Sequence, residues 1–139
     1  MTKKYKLELT RKQLSVIQEA CEFMSRFSAG QFQYLPPSLE SMLWKKWESN
    51  EYCKRRDQWE MYLEHAKKAM LDLYPHESLG IGHPELSEES KICYDIYRPI
   101  LEEFEQEYQA ANPDNLSHSV YAHKGLSYSK EGRITIKTE

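Results

Sequence analysis

Two short stretches carry the side chains best suited to recognition chemistry. In SRFSAGQF (25–32), Arg26 and Gln31 bracket Gly30, with Phe27 and Phe32 beside them. In YDIYR (94–98), Tyr94 and Tyr97 are three apart, as are Asp95 and Arg98, which places each pair on one helical face. Planar rings stack on a base or another flat ring, and a guanidinium forks onto phosphate or carboxylate. A pocket combining the two suits a nucleotide-like small molecule. The same residues also have an ordinary structural use. Arg26 can neutralise a helix C-terminus, Arg98 can pair with Asp95 and Glu102 on a wet face, and the tyrosines can be core.

Covalent and metal chemistry find less to work with. His65, His76, His83, His118 and His123 form no HxH or HExxH pattern and no Cys/His cluster with zinc spacing. The chain has no GxSxG, no GxGxxG and no Walker pattern. Cys21, Cys53 and Cys93 each sit on or beside an apolar stripe, where a small buried thiol is the usual outcome. No pair of carboxylates stands out as acid and base. The expectation is a binding protein with no catalytic residues, no metal and no cofactor.

These residues need elements to hold them. KYKLEL (4–9) alternates, with Tyr5, Leu7 and Leu9 on one face, as in a strand with one wet side. Thr10 and Gln13 then form a capping-box pair at the start of a helix. Leu14, Ile17, Cys21 and Met24 make one stripe on it; Val16, Ala20, Phe23 and Phe27 make the adjoining one, which predicts burial over a wide arc. Gly30 ends that helix. Ser38 caps a second helix carrying Leu39, Met42, Leu43 and Trp47. A third spans about 54–73, with Trp59, Leu63, Ala66, Met70 and Leu73 inward and Glu60, Glu64, Lys67 and Lys68 in water. Residues 74–86 form a long loop of a kind often used for function. Ser87 opens the last helix, which Pro99 should kink or divide. The tail from 119 to 139 reads as a hairpin turning at SKEG, with Ile134 and Ile136 on one face. Pairing that hairpin with the N-terminal strand gives a small antiparallel sheet under about four helices. The fold class expected is therefore α+β, mainly helical, in one domain over 1–139.

The totals fit this reading. At 139 residues, 40% hydrophobic and 29% charged, the chain can build a core and is not composed like a disordered one. A net charge of -3 argues against a general nucleic-acid binder. No apolar run approaches the roughly 20 residues that span a bilayer. The N-terminus shows no apolar signal region, and three cysteines fit a reducing compartment, so a cytoplasmic location is expected.

The first strand running into LTRKQLSVIQEACEFMSRFSAGQF, the tryptophan-rich middle and YDIYR together resemble a family of small phage and prophage proteins. The sharpest parts are Arg26, Gly30, Gln31 and Phe32, and the segment 94–97; Pro99 and the C-terminal tail depart from it. The resemblance implies a non-enzymatic protein that sequesters a nucleotide-derived immune signal of the host cell, working as a homo-oligomer. Its ligand-binding residues would be Arg26, Gln31, Phe32, Tyr94, Tyr97 and Arg98. The competing reading is a protein-binding inhibitor acting through an aromatic patch at Trp44, Trp47 and Trp59. A nucleotide hydrolase comes third, because no constellation of acid, base and nucleophile accompanies it.

Overall fold

The structure, a computed structural model, describes residues 3–114 and 125–139. Its elements are α1 (Arg11–Ser28), α2 (Pro37–Lys46), α3 (Ser49–Leu71) and α4 (Glu88–Ala111). The local start signals act as read. Thr10 Oγ1 accepts the Gln13 N–H at 3.1 Å while the Gln13 side chain accepts the Thr10 N–H at 2.9 Å. Ser87 Oγ accepts the Ser90 N–H at 3.1 Å to open α4. Ser38 has a different role from the cap expected of it. The helix begins at Pro37, and Ser38 donates its N–H and hydroxyl to Glu19 of α1 at 3.1 and 2.5 Å. A carboxylate from one helix thus satisfies the positive end of another. α3 starts at Ser49, a turn earlier than its apolar stripe suggested.

α1 and α4 run antiparallel. Arg11 at the start of α1 pairs with Glu107 near the end of α4 at 2.9 Å and lies over the Phe104 ring. Towards the other end, the Cys93 thiol of α4 reaches the Met24 sulfur of α1 at 3.4 Å. The fold's centre is unusually polar. Gln18, Glu22, Ser25, Asp95, Arg98 and Glu102 are buried beside Tyr94, Tyr97 and Ile100, and the expected wide apolar arc of α1 is not buried: Val16 and Phe23 are exposed.

The α+β expectation is overturned. Among the described residues there is no strand, and the molecule is all helical outside its loops. The N-terminal alternating segment is present as exposed chain, with Tyr5 and Leu7 open to solvent. The part of the expected hairpin at 115–124 lies outside the described residues, as do His118 and His123.

The physical reason is where the tail's backbone donors go. A strand needs a neighbouring strand's carbonyls, but here acceptors on α4 take those N–H groups instead. The Asp95 carboxylate, with no exposed surface, accepts the Ser127 hydroxyl at 3.0 Å, the Tyr128 N–H at 3.0 Å and the Ser129 N–H at 2.8 Å. Ser129 adds its hydroxyl at 2.5 Å. Glu88 accepts the Lys130 N–H, and Glu102 takes the Gly125 N–H and the Arg133 guanidinium.

Pro99 completes the arrangement. α4 runs through it, yet a proline has no N–H for the carbonyl four residues earlier, which belongs to Asp95. The Ile134 N–H of the tail donates to that orphaned carbonyl at 3.3 Å. One residue of α4 therefore holds the tail by its side chain and its backbone together.

Burial alone would raise the Asp95 carboxyl, but the bonds from Ser129, Tyr128 and Ser127 outweigh it and hold the group below its ordinary range. A lowered folded-state value stabilises the protein above the unfolded carboxyl's pKa, about 3.9. That stability is lost as pH falls through the folded value. Asp95→Asn should cost about 2–4 kcal/mol in urea unfolding at neutral pH, because N–H donors would face an amide. The difference between variant and wild type should shrink as pH drops below the carboxylate range. A variant as stable as wild type at neutral pH would remove this role.

Candidate functional site

The end of α1 carries a connected polar cluster. Gln18 Nε2 donates to Glu22 at 2.7 Å, Arg26 Nε donates to the other Glu22 oxygen at 2.8 Å, and Arg26 Nη1 donates to Gln31 Oε1 at 2.6 Å. The guanidinium lies 4.8 Å from the Tyr34 ring centre. Burial first, and then the Glu22 charge, push the Tyr34 phenol up to about 12. Tyr97 of α4 is raised by burial, with Arg26 close enough to oppose the shift. The antiparallel packing of α1 on α4 thus brings Arg26, Gln31 and Tyr97 into one neighbourhood.

The remaining expected residues are placed differently. Phe32 is buried and stacks on Phe27 with ring centres 3.9 Å apart, so one of its faces is already covered. Tyr94 meets Tyr97 and Tyr128 edge-on, at 5.3 and 5.2 Å, and the Arg98 guanidinium lies 5.5 Å from its ring centre. Tyr94 and Arg98 are both buried. The rings that meet Tyr94 thus come from α4 and from the tail.

Two hollows flank Phe32. One, of about 310 Å³, is lined by Phe27, Met70, Leu71, Leu86 and Ser90 among others. The other, of about 300 Å³, lies between the 30–34 turn, α3 and the 75–78 loop, and has the more varied chemistry. Gln31, Phe32, Tyr34, Glu64, Lys67 and His76 are on its wall. Neither of these two hollows is lined by Tyr94, Tyr97 or Arg98.

Lys67 is the residue that reading the sequence missed. Assigned to a wet face, it is only 4% exposed. Its ammonium donates to the carbonyls of Pro75, at 3.0 Å, and Glu77, folding the loop over the end of α3. No carboxylate lies within salt-bridge distance of it among the described residues. The loop is further fixed by the Leu79 N–H, which donates to the Ala29 carbonyl at 2.8 Å. The sequence did offer one signal. Lys67 lies four residues after Leu63, so it could have been placed on the stripe in place of Ala66.

Gly30 has its own reason. It takes φ +90°, and a Cβ there would come within 2.9 Å of Leu73 and 3.4 Å of Lys67. A side chain at position 30 would therefore strain the turn that seats Gln31 beside Arg26 and Phe32 against Phe27.

Cys21 and Cys93 are poor nucleophiles, whereas the Cys53 thiol is exposed and not buried as its place beside an apolar stripe suggested. Burial, and then Cys93, push the Cys21 thiol up to about 12, and burial raises Cys93 as well. Among the described residues no three His, Cys, Asp or Glu side chains could hold a metal ion, and no helix is long and apolar enough to cross a membrane. Comparison with protein-family models, with curated proteins and with solved structures gave no match. The resemblance to phage proteins thus stands on its sequence motifs alone.

Gly30→Ala should lower stability by about 1–3 kcal/mol through backbone strain and contact with Leu73. Gly80→Ala, where an added Cβ meets nothing within 4 Å, should change the urea midpoint little. Equal effects of the two substitutions would contradict this account of the turn.

Proposed function

We propose that the protein is a non-catalytic binder of a small nucleotide-like anion, taken up in the hollow beside Lys67. The observation that carries this reading is a buried ammonium with two carbonyl acceptors and no carboxylate partner among the described residues, at the wall of a cavity. A buried cation is costly to desolvate and favours an anion that can approach it. Tyr34 and His76 supply flat surfaces, and the amides of Gln31 and Gln33 supply directional hydrogen bonds. At about 300 Å³ the hollow is at the small end of ligand pockets, so part of a dinucleotide would remain outside.

Arg26 supports the site through Gln31, from outside the hollow. Arg26 fixes the oxygen of Gln31, which directs the amide nitrogen away from that bond. In the setting implied by the phage resemblance, such a binder sequesters a nucleotide signal in the host cytoplasm by mass action. It needs tighter binding than the signal's receptor and a sufficient copy number, and no transition state to stabilise.

A panel of adenine nucleotides, ADP-ribose and cyclic dinucleotides tests the reading by thermal shift. A member present at 100 times its Kd should stabilise the fold by about 2.7 kcal/mol, a rise of several degrees. His76→Ala, at an exposed side chain, should reduce that rise without lowering the ligand-free Tm. No shift with any member at millimolar concentration would defeat the proposal.

A second reading, a protein-binding inhibitor, is favoured by one observation. Trp44 is 52% exposed on α2 with Leu39 and Met42 also open, although Tyr52 meets Trp44 and Trp59 edge-on and Arg55 covers Trp47. This reading requires Trp44→Ala to abolish capture of one identified host protein while the fold persists. Unchanged capture would dispose of it.

A further inference from the structure

Three sulfur atoms meet where α1 packs on α4. Cys21 and Met24 are three residues apart on α1 and so share a face. Cys93 comes from α4, 69 positions beyond Met24. Its thiol donates to the Met24 sulfur at 3.4 Å, and the Cys21 thiol in turn donates to Cys93. Two thiols and a thioether from two helices thus form one connected group. Two of the chain's three cysteines are spent here. The group is within reach of solvent, because Met24 is 43% exposed and both cysteines are half-buried.

We propose that Cys21, Met24 and Cys93 bind one monovalent copper ion between α1 and α4. Soft thiolate and thioether ligands select Cu(I), which is content with three of them. Zinc wants four ligands of sulfur, imidazole or carboxylate, and among the described residues no three His, Cys, Asp or Glu side chains gather. A histidine or carboxylate pattern in the sequence could not have pointed to this site, since half of its logic is a methionine.

The geometry needs little change. Three sulfurs around an ion at about 2.3 Å, the length of a first-row metal–thiolate bond, stand about 4 Å from one another. The 3.4 Å between Met24 and Cys93 therefore has to open only slightly. Burial keeps both thiols protonated, so the sulfurs stay neutral and close together until an ion replaces the protons. On binding, each thiol loses its proton to solvent and its sulfur lone pair bonds the copper. The thioether adds a lone pair and loses nothing, and no electron is transferred.

Titration of the reduced full chain with Cu(I), anaerobically in thiol-free buffer against a chromogenic Cu(I) chelator, tests the site. Wild type should take one copper per chain from the chelator, and X-ray absorption should count three sulfur neighbours. Cys21→Ser and Cys93→Ser should each weaken binding at least ~100-fold, more than the loss of an outer-shell partner costs. Met24→Leu, which keeps the volume at an open position, should fold as wild type and lower the sulfur count by one. Cys53→Ser should change neither reading, because that thiol stands exposed on α3. Circular dichroism checks the fold of the serine variants, and if either is unfolded the sulfur count of Met24→Leu decides. The proposal is overturned if the chelator keeps the copper, if folded Cys21→Ser and Cys93→Ser bind as wild type, or if Met24→Leu leaves three sulfurs on the metal.

Discussion

A carboxylate with no water around it must be held by hydrogen-bond donors, and the fold at α4 is arranged around that requirement. Asp95 is fully buried, and its donors come from residues 127–129, more than thirty positions away. Pro99 frees the backbone carbonyl of the same residue, which Ile134 then fills. Tail and helix are thereby tied at two kinds of acceptor on one residue. Arg133 on Glu102 adds a third tie a little further along the helix.

Lys67 is the mirror image of this device. A carboxylate only accepts and gathers backbone N–H groups; an ammonium only donates and gathers carbonyls. Lys67 draws the carbonyls of Pro75 and Glu77 onto the end of α3, as Asp95 draws the tail onto α4. Among the described residues few apolar side chains are buried, with Ile100 the largest that is fully enclosed. Buried charges that bind irregular backbone therefore carry much of the definition that an apolar core usually gives. The cost is sensitivity, since removing either partner leaves buried polar groups unpaired.

Local features of the sequence were legible because their physics is local. The Thr10–Gln13 box, the Ser87 cap and the turn at Gly30 each depend on residues within a few positions. The sheet was misread because alternation reports a two-residue period and not the identity of the neighbour. Residues 128, 129 and 130 found carboxylates on a distant helix instead of another strand. Lys67 was misread because charge suggests water, while its position four residues after Leu63 placed it inside. Of the candidate site, Arg26, Gln31 and Tyr97 do come into one neighbourhood, because α1 packs antiparallel on α4. The hollow itself also needed the 75–78 loop, whose path depends on Lys67 and could not be read from the loop's own residues.

The claim that buried charges hold the irregular segments is tested most directly by residue-resolved amide hydrogen exchange on the wild-type chain. The account predicts that the amides of Tyr128, Ser129 and Ile134 are protected together and to a similar degree as the middle of α4. Exchange of those three amides at the rate of an unstructured peptide, with α4 still protected, would contradict it.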